Sequence, residues 1–186
     1  GATKDIFLFL KTSYLVGLRS YYIEIPANRK LEVDEIREYT GGSATNVAAT
    51  FRAFGKKVLV ISRIGKADNG KFVKADLERR GIEYKFSYTK VTPFTVVITT
   101  EGEMSLLVYR GPQENWNADD IRFTGKARLV YIGPMPASDI EVTKKAIEIG
   151  KKNNAIIVWN PGSSEIDMRI NELRGLISNV DVICMN

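Results

Sequence analysis

Histidine is absent from the 186 residues. Ser-His and Cys-His nucleophile pairs and histidine-ligated metals are thereby excluded, and acid–base chemistry falls to carboxylates or lysine. Cysteine occurs once, as Cys184; no internal disulfide can form, and its apolar strand context predicts a buried structural thiol. No apolar run reaches the roughly 18 residues of a membrane span. The opening Gly-Ala-Thr-Lys-Asp-Ile-Phe-Leu-Phe-Leu has neither a basic leader nor a small-residue cleavage site, so cytoplasm is the expected compartment and no membrane partner is expected. A block of like charge is missing too: 27 Lys and Arg are interleaved with 22 Asp and Glu for a net +5. That pattern describes a solvated surface rather than a nucleic-acid groove. Internal repeats and low-complexity linkers are missing.

What is present suits one α/β domain over residues 1–186, since 44% hydrophobic content supports a sizeable core. Ile6 to Leu10 reads as a strand covered on both faces. Tyr14 to Val33 is irregular but β-rich. Thr45 to Phe54 has helical period, with Val47, Ala48, Phe51 and Phe54 on one side and Gly55 as its stop. Val58 to Ile61 is a β-branched strand, and Asp68 opens a helix through Arg80. From Glu83 to Arg110 the period becomes two, with Phe94–Thr100 and Met104–Arg110 forming a hairpin around Glu101-Gly102-Glu103. Strand, helix, strand and strand then follow at Leu129–Ile132, Ser138–Asn153, Ala155–Trp159 and Val180–Met185, the helix opened by a Ser138/Glu141 capping box. Such alternation predicts a parallel sheet with helices on its faces.

Two glycine-rich turns compete as sites. Gly65-Lys66-Ala67-Asp68-Asn69-Gly70-Lys71-Phe72 nearly spells a phosphate-binding loop, but Phe72 stands where a hydroxyl must hold magnesium, so the segment reads as a plain strand-to-helix turn. No G-x-G-x-x-G fingerprint occurs. Gly41-Gly42-Ser43-Ala44-Thr45-Asn46 is the stronger candidate. Its glycines let backbone N–H groups approach a ligand, the helix behind presents unpaired donors, and the Asn46 amide both donates and accepts, which suits a polyhydroxylated ligand.

Gly41-Gly42-x-Ala44-x-Asn46-x-Ala48, then Gly55 and Gly65, resembles the N-terminal signature of the ribokinase-like, or phosphofructokinase-B, family of carbohydrate and nucleoside kinases. Leu77-x-x-x-Gly81-Ile82, the Glu101-Gly102-Glu103 hairpin and Asn160-Pro161-Gly162 follow in the family's order. The resemblance implies a ribokinase-like parallel sheet with flanking helices and a small β-sheet lid, its strands within 14–33 and 84–110, over a cleft where ATP phosphorylates a hydroxymethyl group. Gly41, Gly42, Ser43 and Asn46 would cradle the sugar, and Phe94 would cover it. Gly-Gly-Ser leans towards nucleoside-type members, with nucleosides and free ribose both open.

Two departures qualify that expectation. In the family the first strand leads into a glycine and then an aspartate that binds sugar hydroxyls, whereas Leu10 is followed by Lys11-Thr12-Ser13; Ser13 is the substitute on offer. The family's C-terminal half, with an Asn-x-x-Glu element near magnesium and a Gly-Ala-Gly-Asp segment carrying the general base, would lie beyond Asn186, which matches only the first position of that element. The fold is therefore expected to be truncated on its C-terminal side. ATP and magnesium belong to the complete enzyme, and the isolated chain, with no catalytic or metal residue of its own, is expected to be inactive and to bind neither tightly. Asp119, Asp120, Asp139 and Asp167 read as caps and solvated charges rather than replacement bases. The competing expectation is a non-enzymatic sugar- or nucleoside-binding module, and the open lid strands admit a homodimer.

Overall fold

The computed structural model describes residues 1–10, 25–100, 103–112 and 115–185. Strand β1 (Thr3–Leu10) is met antiparallel by β2 (Val33–Gly41), with Thr3 opposite Gly41. Two glycines then turn the chain into α1 (Ser43–Ala53), which packs on β3 (Leu59–Gly65) through the small buried residues Thr45 and Ala48. Helix α2 (Asp68–Arg79) follows, burying Val73 and Leu77 at helical spacing, and Gly81 at φ +64 returns the chain to β4 (Glu83–Thr89), parallel to β3. Strands β5 (Phe94–Thr100) and β6 (Glu103–Tyr109) form an antiparallel hairpin that joins the first sheet. Then come β7 (Leu129–Ile132), α3 (Ile140–Lys152), β8 (Ile156–Trp159), the short α4 (Ser163–Ile166), α5 (Ile170–Ile177) and β9 (Val182–Ile183).

Among the described residues the strands make three sheets, ordered β2-β1-β5-β6, β3-β4 and β7-β8-β9. The last two are wholly parallel, as strand–helix alternation requires. Two cores stabilise them. One gathers Ala48, Val60, Ile64, Val73, Leu77 and Ile82 around α1, β3 and α2; the other gathers Ile132, Ile147, Ile157, Trp159 and Leu176 around α3 and β7–β9. Each fully buried aliphatic side chain contributes about 1.5–3 kcal/mol relative to exposure.

Several sequence expectations change. Strand β1 is half-exposed along its whole length rather than covered on both faces, because its neighbours β2 and β5 belong to a thin mixed sheet. The expected lid range 84–110 divides, since β4 extends the α/β unit of β3 while β5 and β6 lie in the four-stranded sheet. Of the range 14–33, residues 14–24 lie outside the described residues, 25–32 contain no strand, and β2 begins at Val33. The hairpin turn at Glu101-Gly102 also lies outside them. Phe54 is 73% exposed beyond the end of α1, where the helix no longer faces β3. Cys184 is exposed, because it follows the two-residue ladder of β9 at the edge of its sheet. The Ser138/Glu141 capping box does not form: residues Ala137–Asp139 make a 3-10 turn, and α3 starts at Ile140 without a side-chain cap.

Candidate functional site

The Gly-Gly turn is fixed from three sides. Gly42 has φ +95, and a Cβ there would stand 2.4 Å from the carbonyl oxygen of Gly1, so only glycine fits. Thr45, buried inside the first turn of α1, donates its hydroxyl to the carbonyls of both Gly41 (2.5 Å) and Gly42 (2.8 Å). The Ala44 N–H donates to Gly1 at 3.2 Å. No side-chain hydrogen bond caps α1 and no acidic residue stands in its first turn; the Gly1 carbonyl oxygen takes one of the N–H groups at its positive end.

Asp5 of β1 packs directly on this turn. Its Oδ2 lies 1.8 Å from where a Gly41 Cβ would be, so glycine at 41 makes room for the carboxylate. An aspartate therefore stands beside the Gly-Gly turn, inside the first strand. Thr3 donates its hydroxyl to Asp5 at 3.1 Å, which holds the carboxylate in place.

Ser43 faces the carboxyl ends of the parallel strands, where open α/β sheets bind ligands. Its hydroxyl lies 2.5 Å from the Tyr131 hydroxyl of β7, which is 3.3 Å from Asn160 Oδ1 just beyond β8. The Asn160 Nδ2 donates to the Cys184 carbonyl at 2.7 Å. That bond orients the amide and leaves Oδ1 as the acceptor for Tyr131, so Ser43 donates to Tyr131 and keeps its lone pairs for a ligand donor. Gly133, just after β7, lies against the Ser43 side chain. Asn46, three residues on from Ser43 and on the same helix side, is exposed to solvent.

Other nominated residues fall elsewhere. Register places Phe94 on the face of the first sheet shared with Lys4 and Thr40, opposite the face carrying Asp5. Lys4 sits over the Phe72 ring of α2 on that side, and the Phe94 ring packs 5.2 Å from that of Tyr109. Ser13 and Asn186 lie outside the described residues. Asp139, read from sequence as a cap or solvated charge, is 1% exposed: it accepts from Arg63 Nη2 at 2.9 Å and from the Trp116 N–H at 3.0 Å. This contact ties β3 to the segments before α3 and takes the place of the expected cap.

Sequence reading also passed over Glu165. Its side chain is fully buried, accepts the backbone N–H groups of Gly162 (2.8 Å) and Met135 (2.9 Å), and takes the Thr143 hydroxyl at 3.3 Å. Burial pushes its pKa above the usual carboxylate range, against the downward pull of these donors. A glutamate three residues after Gly162 at a helix start was the available sequence signal.

The described residues contain no group of three or more acidic or cysteine side chains able to hold a metal ion.

The pattern of the pfkB family of carbohydrate kinases matches residues 12–186. A 5-dehydro-2-deoxygluconokinase of Clostridium botulinum (strain Eklund 17B / Type B) is 28% identical over 149 residues, covering 73% of this chain and 44% of that protein. Among solved structures, the Methanocaldococcus jannaschii nucleoside kinase, an archaeal member of the ribokinase family, superposes with TM-score 0.71 at 18% identity, over 100% of this chain and 58% of its own. The Burkholderia thailandensis nucleoside kinase in complex with inosine gives TM-score 0.68 at 15% identity, with coverages of 100% and 58%. The fold is thus ribokinase-like, and the chain spans little more than half of those structures and less than half of the curated relative.

Proposed function

Because this chain belongs to the pfkB family of carbohydrate kinases, we propose that the whole protein transfers phosphate from ATP to a hydroxymethyl group of a sugar or nucleoside. In this reading residues 1–186 supply the acceptor cradle. The observation that carries it is the convergence of the Asp5 carboxylate, the Gly41-Gly42 backbone and the Ser43–Tyr131–Asn160 chain at the N-terminus of α1. An acceptor carboxylate, a hydroxyl with free lone pairs, an amide and backbone donors match the mixed hydrogen bonding of vicinal hydroxyls better than they match an anion. Asn46 completes the cradle from one turn along the helix. Ser13 and Asn186 keep their proposed roles beside the sugar and near the nucleotide. Phe94 acts as packing for its own sheet, as its contact with Tyr109 supports.

Titration of the chain with ribose, inosine, adenosine and fructose 6-phosphate tests this. One of them is expected to raise thermal stability, a ligand at 100 times its dissociation constant adding about 2.7 kcal/mol. Ser43→Ala and Asn46→Ala are each expected to weaken that ligand by about tenfold, the loss of one hydrogen bond worth roughly 1–1.5 kcal/mol. No stabilisation by any sugar or nucleoside would remove the cradle reading.

A homodimer through the four-stranded sheet is the proposed assembly. Strand β6 ends the order β2-β1-β5-β6, and Met104, Leu106, Leu107 and Val108 on it are each at least half exposed. An apolar edge of that kind invites pairing. Light scattering is expected to give twice the chain mass, and Leu107→Lys to give a monomer; a monomeric wild type at micromolar concentration rejects the assembly.

A further inference from the structure

The loops that leave β7 and β8 share a design. Each runs site residue, proline, clamped amide: Gly133-Pro134-Met135 and Asn160-Pro161-Gly162. Gly133 abuts Ser43, and Asn160 accepts from Tyr131. Two residues later, the Met135 and Gly162 N–H groups both point to one oxygen, Oε2 of Glu165. The two loops also touch directly, since a Cβ at Gly162 would stand 3.1 Å from Pro134 Cβ. Proline fixes φ and has no N–H, so it transmits the position of the clamped amide to the residue before it and offers no competing donor. Thr143 of α3 holds the other carboxyl oxygen and thereby anchors the clamp to the second core.

We propose that Glu165 is a positioning residue: by binding the Met135 and Gly162 amides with one oxygen it sets the spacing of Gly133 and Asn160, and through them the Ser43–Tyr131 pair that receives the acceptor. The kinetic part of this inference rests on the kinase reading above; the clamp itself does not. What the clamp requires is an acceptor oxygen, not a charge. Burial already favours the neutral carboxyl. In Glu165→Gln the amide oxygen keeps the two N–H bonds while the NH2 donates to Thr143 Oγ1, so this variant preserves the arrangement. Glu165→Leu fills the space and leaves two partly buried N–H groups without their acceptor.

Amide exchange on the chain and steady-state kinetics on the whole protein decide the matter. Glu165→Leu is expected to speed exchange at Met135 and Gly162 by at least about tenfold while leaving Val73 and Leu77 in the other core unchanged. It is expected to raise KM for the acceptor about tenfold with kcat within about threefold, and Glu165→Gln to restore both exchange and KM. Thr143→Val, which loosens the anchor without leaving an N–H unpaired, is expected to give an intermediate exchange rate and serves where Glu165→Leu does not fold. Unchanged exchange in Glu165→Leu or Thr143→Val would overturn the clamp. A normal KM despite faster exchange would reduce Glu165 to a structural role, and a Gln variant as impaired as Leu would show that charge matters. Absence of turnover in the wild type would sink the kinase reading, with amide exchange still deciding the clamp.

Discussion

Gly70→Ala is expected to destabilise the chain by about 3 kcal/mol, the upper range for forcing an extra group into a packed interior. Gly70 lies in the first turn of α2, buried, and an added Cβ would meet the Gly65 carbonyl oxygen at 1.8 Å and Thr92 Oγ1 at 3.0 Å. The nearer obstacle is backbone and cannot rotate away. It belongs to β3, whose Gly65 N–H is held by the Thr92 hydroxyl at 2.8 Å, so relieving the clash means separating α2 from its strand. That separation opens the core around Ile64, Val73 and Leu77. For a chain of this size the loss corresponds to a fall in Tm on the order of 10 °C. Gly175→Ala is the control: nothing lies within 4 Å of its Cβ position inside α5, and the exchange is expected to stabilise by about 0.5–1 kcal/mol. Thermal and urea unfolding of the two variants measure both numbers, and a Gly70→Ala protein as stable as wild type would mean that α2 docks differently.

This contrast explains the near-match to a phosphate loop. Gly65 and Gly70 are glycines because a strand end and a helix start touch there, which is a packing requirement that sequence spacing alone does not separate from phosphate binding. Elements with strong period were legible for the same reason that they are stable. Strands β3, β5 and β7 and helices α2 and α3 each carry a clean apolar pattern, and the structure places them within a few residues of the expected bounds. Strand β2 was missed because Val-Asp-Glu-Ile-Arg-Glu-Tyr-Thr-Gly has no clean apolar alternation: at the edge of its sheet it is exposed over most of its length and has no core to write into its sequence. Helix α5 carries Gly175 in its interior and buries only Leu176, so propensity and pattern were both weak.

The site was legible in its turn and hidden in its supports. Gly41, Gly42 and Ser43 announced themselves through spacing, whereas Thr45, Tyr131 and Glu165 act through bonds to residues far along the chain or to the backbone. Asp139 shows the general difficulty. A loop aspartate before a helix reads as a cap, and only the arrival of Arg63 from another sheet makes it a buried ion pair. Neutralising one member of such a pair leaves the other charge buried, so the contact is costly to break even where its net contribution is small.

Asp5→Asn is expected to leave the fold intact and to reduce acceptor affinity on the order of 10- to 150-fold, the range for a hydrogen bond to a charged group at 1.5–3 kcal/mol. Asp5 is only half-buried, and its carboxylate accepts from the neighbouring Thr3 hydroxyl at 3.1 Å, so the scaffold depends little on its charge. Its position is nevertheless tightly set, because the absence of a side chain at Gly41 is what admits the carboxylate beside the turn. Gly41→Ala therefore acts on the same group from the other side: the new methyl displaces Oδ2, and the side chain moves rather than the backbone. If Asp5 holds an acceptor hydroxyl, the two variants lose affinity together, and the double variant loses little more than the worse single one, since both remove one contact. Isothermal titration of the chain with the stabilising sugar or nucleoside measures the affinities, and KM with kcat in the whole protein separates binding from chemistry. A carboxylate that only orders the strand would leave KM unmoved in Asp5→Asn while Gly41→Ala lowered Tm, and that pattern would remove Asp5 from the cradle.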